Sequence, residues 1–104
     1  MADPTTDFFV TELPEKLASN PSIAKDINAV YQFEIEGGGT WTVDLTKSEI
    51  YAGTHENPGC VVSAAKVDFE ALLDNPASAM MLFTLGKLKV THVGLALSLQ
   101  KLLT

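Results

Sequence analysis

Arginine is absent from this 104-residue chain: all seven basic residues are lysine, set against 13 acids, for a net charge of −6. Proteins that read duplexes or phosphate backbones lean on arginine forks and net positive charge, so nucleic acid is not an expected partner. Cysteine is nearly absent as well. Cys60 stands alone, so no internal disulfide is possible and an intracellular setting fits. Within the run Cys60-Val61-Val62 it behaves as a small hydrophobe. No apolar run approaches the roughly 18 residues of a membrane-spanning helix. The N-terminus lacks the basic-then-apolar pattern of a signal peptide, and the terminal Leu-Leu-Thr is not a peroxisomal address of the Ser-Lys-Leu type. A cytoplasmic location is therefore expected. Acids are missing from one region in particular. Residues 80–104 carry three lysines and no acid, +3, whereas residues 1–79 carry four lysines and all 13 acids, −9.

What is present reads as one α+β domain over 1–104. Phe9, Leu13 and Leu17 recur at helical spacing. Pro14 either kinks that helix or restarts it near a first helical position. Asn20-Pro21 closes the element and opens a short turn to about Asp26. Residues 29–35 alternate, Gly37-Gly38-Gly39 follow, and Trp41, Val43 and Leu45 alternate again, which predicts a hairpin. Residues 49–52 and 60–65 add two strands, and short links between the four predict an antiparallel meander. Val67, Ala71 and Leu72, widened by Phe69 and Leu73, mark a helix over 66–74. Asn75-Pro76 ends it and opens another to about Leu85, with Gly86 as its left-handed C-cap. Residues 87–91 form a fifth strand. Leu95, Leu99, Leu102 and Leu103 mark a last helix. The order is α-β-β-β-β-α-α-β-α, with a mostly antiparallel five-stranded sheet covered on one face by helices.

No catalytic constellation stands out. The glycine triplet lacks a following Lys-Ser/Thr and leads into a strand, so it is a turn and not a phosphate loop. Two histidines, His55 and His92, and one cysteine fall short of a metal-ligand set, and neither metal nor cofactor is expected. Cys60 with His55 lacks an orienting third group. Asp44 and Glu49 flank a turn and are expected to be solvated. What remains is apolar: Met80, Met81, Leu82 and Phe83 cover every side of their helix, which therefore needs burial or an apolar partner.

Taken in order, these segments resemble the sterol carrier protein 2 domain family over about Phe8 to Leu103. Ala29 to Ile35 with Gly-Gly-Gly-Thr-Trp-Thr-Val-Asp-Leu resembles the family's first hairpin. Val67 to Leu72 resembles its helix after strand four. Asn75-Pro76 through Phe83, with Gly86-Lys87-Leu88-Lys89-Val90, resembles its Pro-x-x-Ala-Phe…Gly-Lys-Leu-Lys-Ile block. Gly94 to Gln100 resembles its terminal Gly-Leu-Ala-x-x-Leu-Gln. The chain departs from the pattern at Thr91-His92-Val93, shorter by about one residue, and at Ala65-Lys66, where a Ser/Thr cap is usual.

The resemblance implies a non-enzymatic carrier holding a sterol, fatty acid, fatty acyl-CoA or phospholipid in an apolar tunnel between sheet and helices. The expected wall is Phe33, Phe69, Leu72, Leu73, Met80, Met81, Phe83, Leu88, Val90, Leu95 and Leu99. Lys87 and Lys89 are candidates for an acidic head group or a transient membrane contact, or else ordinary solvent-facing residues of an edge strand. The chain is expected to be a monomer or weak dimer. The alternative is a closed-core interaction domain that carries no lipid.

Overall fold

Pro14 governs the shape of the N-terminal helix. The computed structural model describes residues 4–95 together with 97 and 98. Helix α1 (Pro4–Asp7) runs into a π-helical turn (Phe8–Glu12) and then α2 (Leu13–Ser19). A proline inside an α-helix removes a donor and presses on the carbonyl four residues back. Here the preceding turn is widened, with the Leu13 N–H bonded to the Phe8 carbonyl, and Pro14 falls at the opening of α2, where no donor is needed. Of the two outcomes expected for Pro14, the helix takes the restart. The wide turn carries Phe8 inward beside Phe9, and both are buried with Leu13 and Leu17. Helix α3 (Pro21–Ile27) ends on Asn28 in the left-handed conformation, which turns the chain into the sheet.

The sheet has five strands: β1 (Val30–Glu36), β2 (Gly39–Asp44), β3 (Glu49–Ala52), β4 (Cys60–Ala65) and β5 (Leu88–Val90). Their spatial order is β3-β2-β1-β4-β5. The glycine hairpin forms as expected, Phe33 facing Trp41 and Ile35 facing Gly39. The turn also needs Gly38 for space, since a Cβ there would lie 2.8 Å from Ile35 Cγ2 and 3.2 Å from Thr5 Cγ2.

The expected meander is corrected at its fourth strand. β4 does not continue beside β3; it lies parallel to β1, with Tyr31 opposite Cys60 and Phe33 opposite Val62. The other three pairings are antiparallel. Alternation shows that a segment is a strand but not which strand it joins. The deciding piece is the link 53–59, which crosses back over the polar face. The Gly53 N–H donates to the Thr40 carbonyl, and the Gly59 N–H to that of Val30. The Gly53 carbonyl accepts from the Thr42 hydroxyl, and the His55 N–H donates to Gln32 Oε1 at 3.0 Å.

The sheet therefore has two unlike faces. Gln32, Glu34, Thr42 and Asp44 belong to the face crossed by this link. Tyr31, Phe33, Val43, Cys60 and Val62 belong to the other and are completely buried. Helix α4 (Lys66–Asp74) packs on the apolar face through Phe69 and Leu72. Val67 and Ala71, expected on its inner face, are exposed; the bulk of Phe69 decides the helix's rotation. As the sequence indicates, Ala65 makes no side-chain cap. A short 3-10 turn (Pro76–Ser78) leads into α5 (Ala79–Thr84). Gly86 closes α5 at φ 76°. The Lys87 N–H reaches the Leu82 carbonyl at 2.9 Å, and the Gly86 N–H that of Phe83 at 3.1 Å, the paired bonds of a Schellman turn. Residues 93–95, 97 and 98 are helical. The remainder of the last helix, with Leu99, Leu102 and Leu103, lies outside the described residues.

Asp44 is also corrected. Expected in solvent, it is 4 % exposed. Its Oδ1 accepts the Thr46 N–H at 2.9 Å and the Thr46 hydroxyl, because an aspartate before a turn folds back onto the backbone two residues on. Burial pushes its carboxyl up. The Thr46 and Lys47 hydrogen bonds, with the Lys47 charge, more than offset that and hold it below its ordinary value. A carboxylate with a depressed folded pKa adds stability above its unfolded value, near ~3.9, and that stability fades as pH falls toward the folded value. Wild type is therefore expected to lose more stability than Asp44→Asn between pH 6 and pH 2.5 in urea melts. Equal losses would remove Asp44 from the account.

Candidate functional site

The apolar face of the sheet and the helices above it enclose most of the expected wall. Phe33, Phe69, Leu72 and Leu88 are buried in one cluster, and Leu73, Val90 and Leu95 pack half-buried against it. Phe33 arises from the alternation of β1, and Phe69 and Leu72 from helical spacing one turn apart. Leu88 and Val90 alternate on β5 opposite Ala64 and Val62. The rings of Phe33 and Phe69 meet edge to face at 5.9 Å, and Phe9 lies over both at 5.2 and 5.6 Å. Phe9 also stacks on Trp41 at 5.0 Å, with planes 9° apart.

Three expected wall residues stand elsewhere. Met80, Met81 and Phe83 are 63, 59 and 41 % exposed. In α5 the inward position belongs to Leu82, with Ala79 partly buried against the core. Leu99 lies outside the described residues. Lys87 and Lys89 are exposed and border a cleft of about 660 Å³ that they share with Glu34, Glu36 and Asp68.

One end of the cluster is closed by groups that sequence reasoning missed. The Tyr31 side chain is wholly buried, and its hydroxyl donates to the Leu95 carbonyl. Burial, with a smaller push from Cys60, raises the phenol well above its ordinary value, so it remains a neutral donor. His92 Nδ1 accepts the Leu95 N–H at 3.0 Å and serves as the N-cap of the last helix, although histidine is not among the favoured capping residues. The Cys60 thiol lies 3.6 Å from the His92 carbonyl. The Thr91 N–H donates to the Val61 carbonyl, and Thr91 Oγ1 accepts the Val61 N–H. Leu95 Cδ1 packs over Gly59, where a Cβ would come within 3.3 Å. A usable signal was the phenol itself, since a buried tyrosine in an apolar strand has to find a partner for its hydroxyl. Tyr31→Phe is expected to cost about 1 kcal/mol and to speed amide exchange selectively at Leu95 and Leu97. Uniform exchange changes across the domain would argue that the bond does not hold this helix.

The polar side chains are committed elsewhere. Cys60 faces His92. His55 sits over the opposite face of the sheet, its Nδ1 accepting the Asn57 N–H and its Nε2 4.0 Å from Asp44 Oδ2. The structure does not bring Cys60 and His55 together. Among the described residues, no three of His, Cys, Asp and Glu are placed to hold a metal ion, and no helix is long and apolar enough to cross a membrane. The candidate site is thus a buried apolar cluster of aromatic and branched side chains, edged by the half-buried Leu73, Val90 and Leu95 and held at one end by Tyr31.

Residues 10–104 match the family described as the SCP-2 sterol transfer family. No curated protein matches the chain. Among solved structures, the sterol carrier protein domain 2 of Helicoverpa armigera superposes with a TM-score of 0.80 at 18 % identity, covering 96 % of this chain and 85 % of that one. Sterol carrier protein 2 of Yarrowia lipolytica, in its apo form, gives 0.75 at 23 %, covering 99 and 93 %. Sterol carrier protein-2 of Aedes aegypti, in complex with the C16 fatty acid palmitate, gives 0.79 at 18 %, covering 100 and 97 %. At these identities the likeness is one of fold.

Proposed function

Because the chain belongs to the SCP-2 sterol transfer family, we propose that it is a non-catalytic carrier, holding the apolar body of a lipid between the inner face of its sheet and the helices above. The observation that carries this reading is the wall itself. Phe33, Phe69, Leu72 and Leu88 form a buried, fully apolar cluster, and Leu73, Val90 and Leu95 remain half-buried at its edge, where an entering chain would meet them. A solved protein of the same fold holds palmitate, so a long acyl chain is the first ligand class to consider, with sterols, acyl-CoAs and phospholipids beside it. Burying an acyl chain gains ~0.8 kcal/mol per methylene, roughly 10 kcal/mol gross for a C16 chain before association costs. A wall without polar groups binds many such chains and discriminates little among them. Selectivity then falls to contacts with the head group.

The competing reading, a closed-core interaction domain, draws on the complete burial of Phe33 and Phe69, which leaves little spare surface at the centre. Native mass spectrometry of gently purified protein, with organic extraction of what co-purifies, decides between them. The carrier is expected to show a stoichiometric lipid mass, or to acquire one on incubation with palmitate, acyl-CoA or sterol. A mass that stays bare after all three supports the closed core and leaves the family as a statement about fold.

A further inference from the structure

The last helix begins on a residue that can change its charge. His92 is the N-cap, and its Nδ1 accepts the Leu95 N–H at 3.0 Å. That bond fixes the tautomer: Nδ1 is bare, and the ring proton sits on Nε2. The neighbouring backbone makes room for the ring. A Cβ on Gly94 would lie 3.1 Å from His92 Cε1 and 3.5 Å from Nδ1, so a glycine, a poor helix former, stands where the imidazole packs. His92 is exposed to solvent, and the chain departs here from the pattern of its family. Leu95, at the edge of the apolar cluster, is held from two sides. Its N–H goes to His92, and its carbonyl accepts from the Tyr31 hydroxyl. The residue before the cap is anchored as well, because Thr91 shares two hydrogen bonds with Val61 of β4. Of these ties, the His92 bond is the one that a proton can break.

We infer that His92 is an acid-operated latch at the edge of the lipid site: a proton taken from solvent at Nδ1 removes the acceptor of the Leu95 N–H, frees Leu95 on that side and speeds the release of bound lipid. Two effects act in the same direction. An imidazolium is a donor at both nitrogens, so two N–H groups would face each other where one hydrogen bond had been. A positive charge is also unfavourable at a helix N-terminus, where the dipole is itself positive. Histidine is the side chain suited to this, since its charge ordinarily changes between pH 5 and 8. The other titratable groups at this corner are Tyr31 from β1 and Cys60 from β4. Both already hold their protons, donating to the Leu95 and His92 carbonyls, so mild acid alters neither. Among the described residues, no carboxylate lies within ion-pair distance of His92. The inference rests on the carrier reading, to which it adds a condition for unloading.

The test uses the full chain loaded with palmitate and follows transfer of the ligand to phosphatidylcholine vesicles at pH 7.5 and pH 5.5. Wild type is expected to release palmitate about tenfold faster at pH 5.5, the order of one lost helix cap. In an NMR titration the Leu95 amide is expected to shift with the same midpoint as the His92 ring. His92→Asn supplies a favoured cap that does not titrate and is expected to bring the ratio of the two rates close to one. It meets the same palmitate and the same vesicles, so it also separates the latch from titration of the ligand's own carboxyl. His92→Ala, uncapped at either pH, is expected to release quickly at both. If palmitate is taken up but His92→Asn keeps the wild-type acceleration, or if the Leu95 amide ignores the titration of the ring, the latch is wrong and the carrier stands. If wild type never takes up palmitate, the carrier reading fails and the proposed release falls with it.

Discussion

Phe9→Ala is expected to cost about 3–5 kcal/mol of folding stability, the largest effect of any single truncation in this chain. Phe9 is 1 % exposed and touches four other rings: Phe8 at 5.1 Å, Trp41 at 5.0 Å, Phe33 at 5.2 Å and Phe69 at 5.6 Å. Two of these come from separate strands and one from α4, so the ring joins the N-terminal helix, the sheet and the C-terminal half. Each aromatic pair adds ~0.5–1.5 kcal/mol beyond area burial, and the rigid strands beneath leave little room to collapse into the gap. For a domain of this size, each kcal/mol lowers the melting temperature by ~4–8 °C. Against a total stability of roughly 5–15 kcal/mol, the variant should melt well below wild type in a thermal scan. A loss under ~1 kcal/mol would mean that the cluster relaxes around the missing ring and that Phe9 does not join the two halves.

Val90→Trp is expected to lower the affinity for palmitate by about 100-fold with little change in melting temperature. Val90 is half-buried at the end of β5, opposite the buried Val62 and against the core. In a carrier, the space beside it belongs to the ligand. An indole there displaces about four methylenes, ~3 kcal/mol at ~0.8 each, which is about two decades of affinity. In a filled core the same indole has nowhere to go, and overpacking costs ~1–3 kcal/mol of stability. The two readings thus move different quantities. An unchanged affinity with a fallen melting temperature would place Val90 in packed core and count against the proposed wall.

Much of the architecture was legible because it is local. The Phe9-Leu13-Leu17 spacing, the glycine hairpin and the Gly86 cap each follow from a few neighbouring residues, and the structure has all three. The placement of β4 was not legible, since its partner, β1, begins 30 residues earlier in the chain, and alternation is the same whichever strand lies alongside. Two helices gave ambiguous signals for a physical reason. Met80 to Phe83 are apolar on every side, so no periodicity marks Leu82 as the inward residue. In α4, five apolar residues among 67–73 define two overlapping stripes, and the larger side chains, Phe69 and Leu72, take the inside. Of the candidate wall, the buried members came from strand alternation and helical spacing, and the outward ones from the uniformly apolar stretch. The closure by Tyr31 and His92 depends on backbone groups more than 60 and three residues away; only the first of these had a sequence signal, the need of a buried phenol for an acceptor.

The parallel union of β1 and β4 has a consequence for how the chain leaves the ribosome. β1, β2 and β3 are consecutive and can pair as soon as residue 52 has emerged, closing on the microsecond scale typical of hairpins. At that moment β1 is the border of the nascent sheet. Its free side carries unsatisfied backbone groups between Tyr31, Phe33 and Ile35, the combination most prone to pairing with another chain. In the finished domain β1 is central, covered by residues 60–65, and β4 receives its own neighbour only with residues 88–90. Synthesis therefore passes through an interval in which the strand carrying Tyr31, Phe33 and Ile35 is the least protected. Slowing translation while residues 53 to 65 are emerging should lengthen that interval and raise the insoluble fraction, whereas the same delay before residue 30 has emerged should not.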